Sequence, residues 1–169
     1  SDTEVMYKNI KKWDWKNSKG DFYVDPETRK NGISFRNSLG RLADEFIKEK
    51  KYDKAEEMLD MAMENMPIEK YGYYRLVIGY IESYYQIDRP EKARAIVEFL
   101  VNNFQEINHF YSGLSSEEIS ADFRELEGNL ELYRYIIATV QEYDGEEYTS
   151  KLKEDFMASV TVLEKVLEE

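Results

Sequence analysis

Cysteine is absent from this 169-residue chain, which excludes disulfides, thiolate metal sites and cysteine nucleophiles together. The redox compartment stays open, because a core of this size needs no covalent staples. Histidine occurs once, at His109, so a catalytic triad or imidazole metal site would have to centre there. That residue sits in Asn108-His109-Phe110-Tyr111-Ser112-Gly113, an aromatic stretch read here as a structural loop over about 109–116. The eight glycines are scattered and form neither a phosphate cradle nor a dinucleotide fingerprint, and the zinc-protease pattern is missing as well. Long apolar runs are also lacking. The longest, such as Leu76 to Ile81, falls far short of the ~20 residues that span a bilayer. No basic-then-apolar secretion signal opens the chain. It begins at Ser1 rather than Met, as a processed product or an excised segment would. Cations are in the minority, with 23 Lys and Arg against 35 Asp and Glu for a net charge of −12. Such a balance argues against nucleic acid and anionic lipid, both of which select basic surfaces.

What is present is a chain 42% hydrophobic and 14% aromatic, enough to offset chain entropy and fold as a globular domain. Proline is scarce, and its three occurrences fall at helix boundaries. Asp25-Pro26-Glu27-Thr28 places a capping carboxylate before a proline at the first helical position. A helical period then runs through Ile33, Leu39, Leu42, Ala43, Phe46 and Ile47 to about Lys50. Asp53 starts a second helix carrying Ala55, Met58, Leu59, Ala62 and Met66, which Pro67 stops. A third spans about Tyr71 to Gln86, and Arg89-Pro90-Glu91 opens a fourth with Ala93, Ile96, Val97, Leu100 and Phe104. Two more cover about Glu117 to Tyr143 and Glu146 to Leu167, separated by Asp144-Gly145. No segment alternates apolar and polar residues as a strand does, so the fold class is all-α.

Short turns between successive helices make neighbours into antiparallel hairpins, here about 26–67, 71–105 and 117–167. Residues 1–24 form an N-terminal arm with a short helix, locked down by Trp13 and Trp15, and residues 25–169 form one domain. The first hairpin fits the 34-residue tetratricopeptide pattern. Arg36 takes its first position, and Leu39, Leu42, Ala43, Phe46, Tyr52, Ala55, Leu59, Ala62 and Pro67 follow. A second unit, offset by 38 residues, matches through Val77, Tyr80, Tyr84, Pro90, Ala93, Val97 and Leu100, with the third hairpin as a cap. The expected architecture is a tetratricopeptide-like, right-handed α-α stack. In its register Asn37, Asp44 and Lys48, with Arg75, Glu82, Tyr85 and Gln86, face the concave side. That is a polar groove suited to a protein or peptide partner, with ordinary solvated helix positions as the alternative reading.

Candidate catalysts are few. Glu117-Glu118, Asp144 with Glu146-Glu147, and Asp21 with Asp25 are the closest carboxylate pairs for glycosidase chemistry. Each is better placed as a helix-terminal or turn residue, and Asp144 to Glu147 lacks calcium-loop spacing. No cofactor or metal site emerges. Six of the 14 tyrosines lie between Tyr71 and Tyr85, in two stripes of one helix that core packing explains, with Tyr85 the best placed for exposure. Exposed tyrosines would otherwise serve a glycan-binding accessory. Charge is uneven: residues 115–149 carry ten acids and two bases, residues 1–54 ten acids and 13 bases. The acidic end reads as a solvated face or a docking face for a basic partner.

Several stretches occur together in order: Met6-Tyr7-Lys8-Asn9, Trp13-Asp14-Trp15-Lys16-Asn17, Tyr23-Val24-Asp25-Pro26-Glu27-Thr28-Arg29, Phe35-Arg36-Asn37, Arg41-Leu42-Ala43, Tyr52-Asp53-Lys54-Ala55, Leu59-Asp60, Glu64-Asn65-Met66-Pro67, Tyr84-Tyr85 and Glu91-Lys92-Ala93. In this order they resemble the soluble C-terminal region of a bacterial family of large, multi-spanning membrane proteins of unknown function. The membrane part of that family is similar to GT-C-type glycosyltransferases such as protein O-mannosyltransferases. The resemblance covers most of residues 5–105. It implies that transfer chemistry belongs to a membrane segment outside this sequence, with no catalytic residue here. The chain would then be a membrane-tethered, periplasmic module that binds a protein, or a glycan, without being an enzyme itself.

Overall fold

The computed structural model describes residues 2–15 and 23–168. Eight helices follow one another with no strand among the described residues: α1 (Asp2–Ile10), α2 (Pro26–Lys48), α3 (Tyr52–Asn65), α4 (Ile68–Tyr71), α5 (Tyr74–Gln86), α6 (Pro90–Ser112), α7 (Ser116–Tyr143) and α8 (Glu146–Glu168). The protein is all-α. Two compact units divide within α6, one ending at Ala93 and the other beginning at Arg94.

In the first unit α2 starts where the sequence places it. The Asp25 carboxylate accepts from the backbone N–H groups of Glu27 and Thr28, both at 3.0 Å, and Pro26 occupies the first turn. These bonds satisfy amides that no helical carbonyl can reach. The helix buries Leu39, Leu42, Ala43 and Phe46 against Ala55, Met58, Leu59 and Ala62 of α3, a core of long apolar side chains closing over small alanines. Helix α5 lies alongside α2. The Tyr80 hydroxyl donates to the Arg36 carbonyl at 2.5 Å, and the Ser83 hydroxyl donates to Asp44 at 3.1 Å. Trp13 and Trp15 pack edge-on against Phe35, with centroids at 5.1 and 6.3 Å, so the N-terminal arm is anchored on α2.

The third sequence-predicted helix starts at Tyr74, three residues later than the sequence places it, and a separate single turn, α4, precedes it. Gly72 (φ 64°) and Tyr73 (φ 56°) both occupy left-handed backbone, separating the single turn of α4 from α5. Glycine meets this conformation without cost, whereas a tyrosine does not. The turn persists because Arg36, only 1% exposed, reaches into it. Its Nη1 donates to the Gly72 carbonyl at 2.8 Å and its Nη2 to the Met66 carbonyl at 2.5 Å. Periodicity cannot foresee that bond. Leaving the stripe this way, Tyr73 is 42% exposed, whereas Tyr85, expected to be the exposed tyrosine, is half-buried.

Helix α1 is tied on by charge. Glu4 accepts from Lys54 at 2.8 Å and from Lys51 at 2.9 Å, and these ammonium groups hold its carboxyl down at about 2. Tyr7 and Lys11 both donate to Glu57, while the Tyr7 ring meets Phe46 edge-on at 5.7 Å. The start of α6 is fastened similarly: Arg89, just before the helix, and Lys92 within it donate to Glu56 and lower its pKa. Both carboxylates are depressed in the folded state. Their contribution to stability is therefore complete above the ordinary carboxylate value and is lost as pH falls through the folded value. The thermal midpoint of the first unit should accordingly fall between about pH 4 and pH 2. Protonation also relieves the repulsion of a −12 chain, so the informative comparison is with Glu4→Gln. Its acid limb should be shallower than wild type near pH 2, and parallel profiles would contradict this assignment.

In the second unit a cluster of Tyr111, Ile119 and Leu126 joins α6 to α7. Tyr133 of α7 meets Phe104 of α6 at 6.1 Å and Phe156 of α8 at 5.1 Å. The Ser115 and Glu118 capping box that starts α7 accounts for the acidic pair Glu117-Glu118. Asp144 is likewise structural, accepting two bonds from Arg94 at 2.5 and 2.8 Å. His109 corrects the sequence reading: it lies in the last turn of α6 rather than in a loop. The helix continues because Phe104, Asn108 and Tyr111, all buried, extend its inner stripe, and no breaker occurs before Gly113.

Candidate functional site

Two concave surfaces of the first unit differ in their lining. A cleft of about 750 Å³ runs along α3 and is lined by Asp53, Glu56, Glu57, Asp60 and Glu64 among others. Three of its carboxylates are engaged within the fold. Glu56 and Asp60 accept from Lys92 at 2.7 and 2.6 Å, Glu56 accepts from Arg89 at 2.9 Å, and Glu57 accepts from Lys11. Asp60 also accepts from the Tyr84 hydroxyl at 2.8 Å, a bond that together with burial pushes the phenol pKa up. This face is a structural ionic seam.

The second concavity differs in kind. Two adjoining depressions, of about 220 and 660 Å³, share Asn37, Arg41 and Asp44 of α2. The smaller lies between α2 and α5, with Arg75, Leu76, Gly79 and Ser83 on the far wall. The larger extends towards α1, where Asp2, Thr3 and Met6 face Ser38, Glu45 and Lys48. The result is a groove along the outer face of α2, walled by α5 on one side and α1 on the other.

Its construction follows from helical spacing. Asn37, Arg41, Asp44 and Lys48 recur at intervals of three and four on α2, and Arg75, Gly79, Glu82, Ser83 and Gln86 do the same on α5. Leu39, Ala43 and Phe46 fill the inner face of α2, so the polar set faces outward. Gly40 permits the close approach of the two helices: a Cβ there would lie 2.8 Å from Cε1 of Tyr80. Burial raises the Tyr80 phenol pKa, so the group stays protonated and keeps donating to Arg36. Gly79 is the opposite case. A Cβ built on it meets nothing within 4 Å, so the α5 wall is bare at that point.

Of the residues that the repeat register assigns to a groove, Asn37, Asp44, Lys48 and Arg75 line these depressions. Glu82, Tyr85 and Gln86 do not. Gln86 donates to Glu82 at 3.1 Å along α5. Arg41, Gly79 and Ser83 are groove residues that sequence reasoning missed. The signal for them was available, since each lies four positions from a neighbour in its stripe: Arg41 from Asn37, Gly79 from Arg75, Ser83 from Gly79. Among the described residues no group of three or more His, Asp or Glu is placed to hold a metal ion, and no helix is long and apolar enough to cross a membrane. Comparison with protein-family models, curated proteins and solved structures gives no match.

Proposed function

We propose that this chain is a non-catalytic interaction module that holds a segment of a partner protein in the groove between α1, α2 and α5. The observation that carries the reading is the bare stretch at Gly79 beside polar side chains. A glycine inside a helix costs about 1 kcal/mol relative to alanine, and no neighbour occupies the space a side chain would take. A partner's main chain lying against α5 gives that glycine a use. Tyr80 and Tyr84 of α5 do not offer a sugar platform in this reading, since both are buried and use their hydroxyls inside the fold. The family resemblance supplies the setting: a soluble, periplasmic module of a membrane-embedded, glycosyltransferase-like parent whose transfer chemistry lies outside this sequence.

The test is selection of binders from a library of random dodecapeptides displayed on phage, using the whole chain as bait. Peptides selected on wild type should bind Gly79→Leu at least about tenfold more weakly, a difference of ~1.4 kcal/mol. The leucine enters open space, so the variant keeps its fold, as its melting curve would verify. Unchanged affinity of every selected peptide for Gly79→Leu would remove the groove from consideration.

A further inference from the structure

We infer that the groove selects an acidic segment, with Arg41 and Arg75 gripping its carboxylates from opposite walls. The inference rests on the groove reading above and adds the chemistry of the occupant. Both arginines are exposed and line the depression between α2 and α5, and neither makes a hydrogen bond or ion pair among the described residues. Lys8, Lys12, Arg29, Lys30 and Lys50 of this unit are likewise without such a bond among the described residues, but only Arg41 and Arg75 line this depression. Carboxylates outnumber cations 35 to 23, and elsewhere in the same unit Lys11, Lys48, Lys51, Lys54, Arg89 and Lys92 are each held by one.

Arg41 and Arg75 lack partners although Asp44 lines the same depression. The Asp44 carboxylate instead accepts from Ser83 at 3.1 Å. Two guanidiniums are thus presented, each a planar fork of donors that matches a carboxylate bidentately. Gly79, next to Arg75 in the α5 stripe, lets the backbone bearing that carboxylate approach the wall. In this depression a basic segment would face the same two cations with only Asp44 in its favour, whereas Asp2 and Glu45 line the larger depression towards α1.

Net charge sharpens the expectation. At −12 the molecule as a whole repels an acidic ligand at long range, whereas the arginines attract it at contact. Screening at physiological salt has a length of about 8 Å, so the two effects separate. Selectivity should therefore appear in slow dissociation rather than in fast association.

The same dodecapeptide library distinguishes the outcomes. Wild-type selections should be enriched in Asp and Glu, and each selected peptide should lose about tenfold in affinity, ~1.4 kcal/mol, for Arg41→Gln or Arg75→Gln. Selection on the Arg41→Glu/Arg75→Glu double variant should shift to Lys- and Arg-containing peptides. Both side chains are exposed, and an unaltered melting curve would show that the fold is kept. If the double variant does not fold, the two glutamine variants carry the comparison alone. Peptides that are sensitive to Gly79→Leu yet show no acidic preference, or are indifferent to both arginines, would overturn this inference and leave the groove reading standing. Peptides indifferent to Gly79→Leu would overturn both.

Discussion

Arg36→Met should lower the unfolding free energy of the first unit by about 2–4 kcal/mol, the largest effect expected of any single polar side chain in that unit. Buried arginines are usually matched by a carboxylate, and replacing a whole buried ion pair by apolar groups can be neutral. Here that compensation is unavailable, because both partners are backbone carbonyls, of Met66 and Gly72. They remain when the side chain is changed, and the buried Met66 carbonyl and the partly buried Gly72 carbonyl both lose their donor. The Met66 carbonyl lies at the C-terminal end of α3, where helix dipoles concentrate negative charge. The guanidinium therefore neutralises that end while bridging to the left-handed turn at Gly72 and Tyr73. Burial lowers the Arg36 pKa, yet an arginine begins so high that it stays charged. Lysine keeps the charge but not the fork, so Arg36→Lys should fall between wild type and methionine. The two tryptophans of the chain are Trp13 and Trp15, and both pack on Phe35 of α2. Denaturant titration followed by tryptophan emission thus reads this unit selectively. An unshifted midpoint for Arg36→Met would show that the carbonyls find other donors.

Where the sequence was legible, a local cause sets the structure. Asp25-Pro26 begins α2 because cap and proline act within one turn, and Ser115 with Glu118 begins α7 for the same reason. The all-α class follows from apolar spacing that persists for twenty residues at a time. Where the reading failed, the deciding contact is remote in sequence. The break at Gly72-Tyr73 depends on Arg36, 36 positions away from Gly72. Position 36 offered no such hint, because in a repeat pattern it is a packing site and an arginine there reads as an apolar stem. His109 reads as a loop residue because its neighbourhood is aromatic and polar, yet Asn108 and Tyr111 are buried and carry the helix on to Ser112. The groove was half legible. Repeat register identified Asn37, Asp44, Lys48 and Arg75, but it assigns positions by type, and glycine has no side chain to assign. Gly79 becomes informative only when the space around it is known. The same holds for Arg41 and Arg75, whose lack of ion pairs no composition could reveal.

Alanine at two helical glycines should move stability in opposite directions, and the contrast tests the groove from the side of folding. Removing glycine from a helix interior gains about 1 kcal/mol wherever the added methyl is accommodated. At Gly79 nothing lies within 4 Å of the new Cβ, so Gly79→Ala should stabilise by about 0.5–1 kcal/mol. At Gly32 the Cβ would lie 2.6 Å from Cε1 of Tyr71, whose ring is 6% exposed and cannot swing into solvent without opening the core. Overpacking of this kind costs about 1–3 kcal/mol, which exceeds the helical gain, so Gly32→Ala should destabilise. Tyr71 belongs to α4, so the damage should be centred on the same turn that Arg36 holds. Tryptophan-monitored unfolding of both variants gives the answer, and shifts of the same sign would show that the space around one glycine has been misjudged. If the contrast holds, the two glycines stand in different settings. Gly32 is required by its own core. Gly79 is not, and the space beside it stays open for the segment that the proposed groove would hold.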